Sequence, residues 1–284
     1  MTPYAEVVGD PIAQSKSPTI HGFWLDALGI DGDYRAHHLS GDGLAAYLDE
    51  RRADRAWRGC NVTIPHKQAV VPLLDRIDLL AERIGAVNIV AREGDALVGY
   101  NSDAPGFLAP LRPLLDEQHL LRTARIFGTG GAARAIAHGL WGEGFTLIVI
   151  GRDLDKARAI VAPFRAADVH VAPLADFGSP LTFDWGDCEG RLDLVVNATS
   201  CGMNGRPPLP FDLSHAPPGA IVYDAVYSPL ETPLLAAARA GGHRTIDGLE
   251  MLIGQAGEAF QRFFGASPPD DADSRTTLRA RLVA

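Results

Sequence analysis

Short apolar runs alternate along this chain with stretches of helical spacing, and polar, glycine- or proline-bearing turns separate them. That is the pattern of an α/β protein. Glu6-Val7-Val8-Gly9 reads as a first strand ended by Asp10-Pro11, followed by a helix over 19–28, a strand over 33–39 and a helix over 43–54. Residues 58–64 alternate as a strand that stops at Pro65, with Asn61 and Thr63 on one face and Val62 and Ile64 on the other. The pattern then predicts a helix over 68–74 with Lys67 at its start, strands over 84–90 and 96–101, and a helix over 104–115. In the second half, 146–150 is a continuous apolar run of the kind that a parallel strand buried on both faces requires, and 124–127, 192–197 and 220–224 read as further strands of the same sheet. Arg206-Pro207-Pro208-Leu209-Pro210 and Ala216-Pro217-Pro218 read as loops, and an amphipathic helix starts at Gly248.

The strand at 124–127 passes into the helix over 132–142 through Gly128-Thr129-Gly130-Gly131-Ala132-Ala133. Gly128, Gly130 and Ala133 fit G-x-G-x-x-G/A, in which glycines let the backbone bend and approach a pyrophosphate while the helix start offers unpaired N–H groups. The next strand ends in Arg152 and Asp153, where the fingerprint places the group that meets the adenosine ribose. The stretch predicts a dinucleotide site.

Length and composition set the scale. With 284 residues and 46% hydrophobic content the chain has material for two domains. A net charge of −9 without a basic block argues against an electrostatic hold on nucleic acid or an anionic membrane. No run of 18 apolar residues occurs and Met1-Thr2-Pro3-Tyr4-Ala5-Glu6 lacks signal-peptide character, so a cytoplasmic protein is expected. Cys60, Cys188 and Cys201 are odd in number and widely spaced, and the 9 histidines show no ligand spacing, so reduced thiols and no metal are expected.

Three polar stretches carry candidate chemistry. Pro18 favours an extended Ser17, so the Ser15 and Ser17 hydroxyls could converge on an anion; alternatively Ser17 caps the helix that follows. Lys67 is either a solvated charge or a functional amine in an awkward place. Asp103 is either the cap of the helix over 104–115 or the partner of Lys67.

Taken together, Gly9-Asp10-Pro11-Ile12-Ala13-Gln14-Ser15-Lys16-Ser17-Pro18-Thr19-Ile20-His21, Asn61-Val62-Thr63-Ile64-Pro65-His66-Lys67, Gly85-Ala86-Val87-Asn88 and Gly99-Tyr100-Asn101-Ser102-Asp103 resemble the successive substrate motifs of the shikimate dehydrogenase family. The glycine turn, Asn197-Ala198-Thr199-Ser200-Cys201-Gly202-Met203, Tyr223-Asp224-Ala225-Val226-Tyr227-Ser228-Pro229 and Gly248-Leu249-Glu250-Met251-Leu252-Ile253-Gly254-Gln255 continue the likeness in order over nearly the whole chain.

The resemblance implies an N-terminal, mostly parallel α/β substrate domain (1–106, with 245–284 packing back on it), a Rossmann domain (107–244), and a reaction in the cleft between them. It makes Lys67 and Asp103 the catalytic pair and gives Ser15, Ser17, Thr63, Asn88, Tyr227 and Gln255 to the substrate. It gives Gly128, Gly130, Gly131, Ala132, Arg152, Asp153, Thr199, Met203, Val226 and Gly248 to a nicotinamide cofactor. The chemistry suits the pair, because a secondary alcohol gives up a hydride only if its hydroxyl proton also leaves.

Two departures matter. Ser102 and Ala104 stand where the family reads Thr and Gly, which opens the substrate question toward quinate or a related polyhydroxy acid, although Ser17 favours shikimate. Gly151-Arg152-Asp153 replaces the Asn-Arg-Thr common in NADP users; a carboxylate would repel a 2′-phosphate and accept from a free ribose hydroxyl, so the sequence leans to NAD over NADP. A monomer or homodimer acting on a small molecule is expected, and a noncatalytic dinucleotide-binding sensor is the alternative from another class.

Overall fold

The computed structural model describes residues 1–283, which divide into two compact units, residues 1–106 with 253–283, and residues 107–252. In the first unit β1 (Tyr4–Gly9), α1 (Ser17–Leu28), β2 (Asp33–His38), α2 (Leu44–Ala53) and β3 (Trp57–Val62) come first. They are followed by β4 (Arg76–Ile77), α3 (Leu79–Ile84), β5 (Ile89–Glu93) and β6 (Ala96–Tyr100). The strands form one sheet in the order β2-β1-β3-β5-β6-β4, and β5 alone runs antiparallel to its neighbours. β1 is buried along its whole length, with clusters around Val8, Trp57 and Leu97 and around Val7, Ile89 and Phe263 taking its alternating side chains. Glu6, the charged residue in that strand, accepts from Arg51 Nε at 2.7 Å, Arg51 Nη2 at 3.2 Å and Tyr47 at 2.8 Å, so its charge is fully engaged in holding α2.

Four local expectations change. α1 begins at Ser17, and the residue before it, Lys16, makes no side-chain cap, so Ser17 is not the N-cap. No helix forms over 68–74: Pro72 removes a helical donor, and the segment is turns with a 3-10 turn at Val71–Leu73, leaving Lys67 in a turn and away from any helix start. Residues 84–88 are not strand, because Asp78 caps α3 by accepting from Ala81 N and Gly85 ends that helix at φ 69°. The helix expected over 104–115 breaks into α4 (Asp103–Leu108), a 3-10 turn (Ala109–Leu111) and α5 (Arg112–Leu115), with Pro110 and Pro113 at the breaks.

The second unit contains β7 (Leu121–Phe127), α6 (Gly131–Gly142), β8 (Thr146–Gly151), α7 (Leu154–Val161) and β9 (Val169–Pro173). It continues with β10 (Arg191–Asn197), β11 (Ile221–Asp224), α8 (Pro233–Ala240) and β12 (Arg244–Ile246). All these strands are parallel, in the order β12-β11-β10-β7-β8-β9. Read from the β9 edge this is the doubly wound 3-2-1-4-5-6 order, which reverses between β7 and β10. Ile126, Ile136, Leu147, Leu194 and Val196 build its core, Phe107 stacks on Tyr223 at 4.5 Å, and Met251 belongs to the same core. The chain ends with α9 (Gly248–Phe264) and α10 (Ala272–Val283); residues 248–252 of α9 count with the second unit, where the sequence boundary stood at 244. The fold is α/β with two mostly parallel sheets, and none of its helices among the described residues is long and apolar enough to cross a membrane.

Candidate active site

The first unit gathers its polar motifs at one edge of its sheet, where β1, β3 and β6 end and β5 begins. Backbone bonds tie the emerging segments together. Thr63 N donates to Val8 O at 2.9 Å and Asp10 N to Ile64 O at 2.9 Å, joining the loops after β1 and β3. Val62 N donates to Asn88 O at 2.8 Å, Asn88 N to Tyr100 O at 3.0 Å and Val87 N to Lys67 O at 2.8 Å, which sets residues 67, 88 and 101–103 side by side. Ligands of open α/β sheets gather at such strand ends.

Within this frame Lys67 Nζ donates to Asp103 Oδ2 at 2.6 Å; the lysine side chain is 14% exposed and the carboxylate 4%. Asp103 heads α4, but its carboxylate is spent on Lys67 and on Asn88 Nδ2 at 3.1 Å, and its own N–H is taken by Asn101 Oδ1 at 3.0 Å. Helix capping is therefore not what this side chain does. Asn88 Nδ2 stands 3.0 Å from Ser102 Oγ, 3.1 Å from Asp103 Oδ1 and 3.1 Å from Gln255 Oε1. An amide has only two N–H bonds for these three acceptors, so the cluster keeps acceptor capacity that a ligand's hydroxyl can use. Ser102 locks the arrangement: its N–H donates to Asn88 Oδ1 at 2.8 Å and its Oγ to Gln255 O at 2.8 Å.

Ser15 and Thr63 sit on the adjoining loops, and Ser17 opens α1. Ser15 Oγ accepts from Ser17 N at 3.3 Å, Ser17 is buried, and Thr63 is half-buried beside Gly9. Sequence reasoning missed Tyr34, which donates to Asn61 Oδ1 at 2.6 Å, while Asn61 Nδ2 reaches Asn88 O at 3.3 Å. Asn61 thus props up the ligand cluster from behind, a role its strand position alone does not reveal.

In the second unit the glycine turn lies at the switch point of the sheet. Gly128 has φ +124°, and a Cβ there would stand 2.8 Å from Ala198 O, so this position accepts only glycine while the loop after β10 stays where it is. Gly130 precedes α6 in extended conformation without a side-chain cap, and a Cβ there would meet nothing within 4 Å. The first N–H groups of α6, at Gly131 and Ala132, are among those an α-helix leaves without an intrahelical partner, which is what a pyrophosphate requires. Arg134, in the first turn of α6, was not singled out from sequence; its Nε is buried without a partner among the described residues, and burial lowers its pKa. The residues present fit a dinucleotide. Gly128→Ala should cost about 1–3 kcal/mol of backbone strain and lower the thermal midpoint by several degrees; melting at the wild-type temperature would show that the turn can relax.

Thr199 and Met203 follow β10, and Val226 and Tyr227 follow β11, so Tyr227 belongs to the second unit while Asn88 and Gln255 belong to the first. Gly248 packs against that second loop, with a hypothetical Cβ 2.5 Å from Ala225 O. Arg152 and Asp153 are exposed at the end of β8. The Asp153 carboxylate caps α7, accepting from Asp155 N and Lys156 N at 3.1 Å each; the Lys156 backbone bond leads the effects that hold its pKa below the usual carboxylate range. Lys156 Nζ lies 3.7 Å from its other oxygen.

The profile of the shikimate dehydrogenase substrate binding domain matches residues 7–90. The shikimate dehydrogenase (NADP(+)) of Sphingopyxis alaskensis is 50% identical over 291 residues, covering 100% of this chain and 98% of that protein. A crystal structure of shikimate 5-dehydrogenase from Thermus thermophilus, in complex with NADP(H) and shikimate, superposes with a TM-score of 0.78 at 34% identity, covering 99% of each chain. Quinate dehydrogenase from Corynebacterium glutamicum in complex with NAD gives a TM-score of 0.80 at 30% identity, covering 100% of this chain and 99% of that one. With its motifs in order, both sheets in place and full-length likeness at this level, the chain belongs to the shikimate dehydrogenase family.

Proposed function

We propose that this protein is an oxidoreductase that interconverts 3-dehydroshikimate and shikimate, with Lys67 and Asp103 as its catalytic pair. The observation that carries the reading is the 2.6 Å contact between that amine and carboxylate inside a polar cluster at the strand ends. The first unit takes the substrate and the second the cofactor. Hydride exchange at the substrate's ring carbon is the chemistry that a bound nicotinamide supplies. In reduction the Lys67 ammonium gives a proton to the oxygen that becomes the hydroxyl, and in oxidation the neutral amine takes it back, while Asp103 aims the amine and accepts from a neighbouring ring hydroxyl. Asn88 and Gln255 orient the ring, Ser15, Ser17 and Thr63 hold the carboxylate, and Tyr227 joins them from the second unit. The close pairing of Lys67 with Asp103 argues against a noncatalytic sensor.

For the cofactor, we read NADP(H), against the lean toward NAD drawn from Asp153, because the curated relatives are named for NADP(+). Two features agree with that choice: the Asp153 carboxylate is engaged in capping α7, and Lys156 offsets its charge while Arg152 stands beside it. Gly128, Gly130, Gly131 and Ala132 hold the pyrophosphate, Arg152 the 2′-phosphate, and Thr199, Met203, Val226 and Gly248 the nicotinamide half. A cytoplasmic setting matches the three free cysteines.

The test is an absorbance assay of nicotinamide reduction with shikimate and quinate, each against NADP and NAD. Turnover of shikimate with NADP is expected to dominate; quinate with NAD as the best pair would overturn the assignment. Asp153→Thr keeps a capping hydroxyl on α7 and removes one negative charge, so the NADP-to-NAD ratio of kcat/KM should rise by about fivefold, the ~1 kcal/mol that unit charges exchange at 4 Å in water. An unchanged ratio would mean that Asp153 does not face the 2′ position.

A further inference from the structure

Asp224, the last residue of β11, is fully buried, forms no ion pair among the described residues, and has no part in the proposed chemistry. Its surroundings are specific. Oδ1 accepts from Asn197 Nδ2 at 2.9 Å and from Val226 N at 2.9 Å, and Oδ2 accepts from Thr232 Oγ1 at 2.6 Å. Each partner belongs to a different segment: Asn197 ends β10, Val226 lies in the loop after β11, and Thr232 caps α8 by accepting from Leu235 N at 3.2 Å.

The network runs on through Asn197, itself fully buried. Asn197 Nδ2 also donates to Cys201 O at 3.0 Å, and its Oδ1 accepts from Thr199 N at 3.0 Å and Thr199 Oγ1 at 2.7 Å. Thr199 Oγ1 in turn accepts from Cys201 N at 3.0 Å. One carboxylate therefore fixes both the loop that carries Thr199 and Met203 and the loop that carries Val226. Both loops also pack closely against their neighbours: Ala198 O borders the position that a Gly128 side chain would need, and Ala225 O borders that of Gly248.

A well-packed apolar residue would cost less at such a depth than a lone carboxylate, whose pKa burial raises to about 6 against the pull of its three donors. Three donors converging from three segments are what only an acceptor with several lone pairs can satisfy. We propose that Asp224 is a positioning residue for the cofactor: through Asn197 and Val226 it holds the loops after β10 and β11 in the shape that receives the nicotinamide half. The inference rests on the cofactor reading given above.

The test measures NADPH binding by the fluorescence of the reduced nicotinamide, a readout that needs no turnover, alongside the thermal midpoint of the ligand-free protein and the KM for shikimate. Asp224→Asn keeps the shape but turns an N–H₂ toward one of the donors. Its Kd for NADPH should rise about tenfold or more, the scale of losing a hydrogen bond to a charged acceptor, with the KM for shikimate within about twofold of wild type. Thr232→Val removes one of the three donors at constant volume and should weaken NADPH binding by a smaller factor, while Thr232→Ser, which keeps the hydroxyl, restores it. The Thr232 pair decides the matter if Asp224→Asn does not fold. Unchanged NADPH affinity in a folded Asp224→Asn, or a fall in thermal midpoint alone in the Thr232→Val protein, overturns the proposal and leaves Asp224 a purely structural residue. If the wild-type protein binds neither NADPH nor NADH, the cofactor reading itself fails, and this inference with it.

Discussion

Lys67→Ala is expected to lower kcat by about 10²- to 10⁴-fold, the usual worth of a positioned general acid–base, while the KM for shikimate changes little. On the roles proposed above, the amine acts on a proton whose transfer belongs to the transition state, whereas Asn88, Gln255 and the hydroxyls of Ser15, Ser17 and Thr63 would bind the ground state equally well without it. A structural cost accompanies the kinetic one. Asp103, 4% exposed, loses its counter-charge and keeps only the Asn88 amide and the Asn101-bound backbone to hold it, a loss of about 3 kcal/mol at the low end of what a broken buried pair costs. Steady-state kinetics with a parallel urea melt separates the two effects. Wild-type kcat in a folded variant would remove Lys67 from the mechanism.

The second large effect is on acid stability and centres on His21. Its ring is fully buried between Tyr34, stacked at 3.9 Å, and Trp24, Phe260 and Phe263, and neither nitrogen has a hydrogen-bond partner among the described residues. Burial alone lowers its pKa from 6.5 to about 3. The unfolded chain therefore binds a proton below pH 6.5 that the folded protein refuses until about pH 3. Stability that is complete above pH 6.5 drains away as the pH falls, by about 3 kcal/mol at pH 4. Asp224 works in the opposite sense: its folded pKa of about 6 lies above the model-compound value of 3.8, so its ionisation costs stability as the pH rises through 6. His21→Phe keeps the aromatic stack and abolishes the imidazole titration without touching Asp224. Urea unfolding at pH 7 and pH 4 should show the variant losing about 3 kcal/mol less between the two than the wild type does. An equal loss in both proteins would show that His21 is protonated in the folded state.

Much of this was legible in the sequence, and the exceptions have definite causes. The central strands β7, β8, β10 and β11 are buried along most of their length, so apolar residues dominate them and they declare themselves even where Arg125 and Asp193 interrupt the run. β9 is a half-buried edge strand and β4 has two residues, too little apolar surface to leave a pattern. At 84–88 the signals were present but outweighed: Asp78 and Gly85 bracket a short helix, yet the apolar residues around them read as strand. Pro72, Pro110 and Pro113 were equally visible, and their cost to a helix decided the broken segments.

By itself the sequence determined the α/β class, the glycine turn and the order of the motifs, because these depend on periodicity and on backbone freedom, both written locally. Only the tertiary structure decided which of two local roles a polar side chain plays. Asp103 stands where a helix cap would, and Asp153 where a ribose ligand would, yet the first is drawn to Lys67 from 36 residues away and the second is spent on its own helix. A carboxylate goes to the donor that compensates its desolvation best, and that donor is known only once the chain has folded.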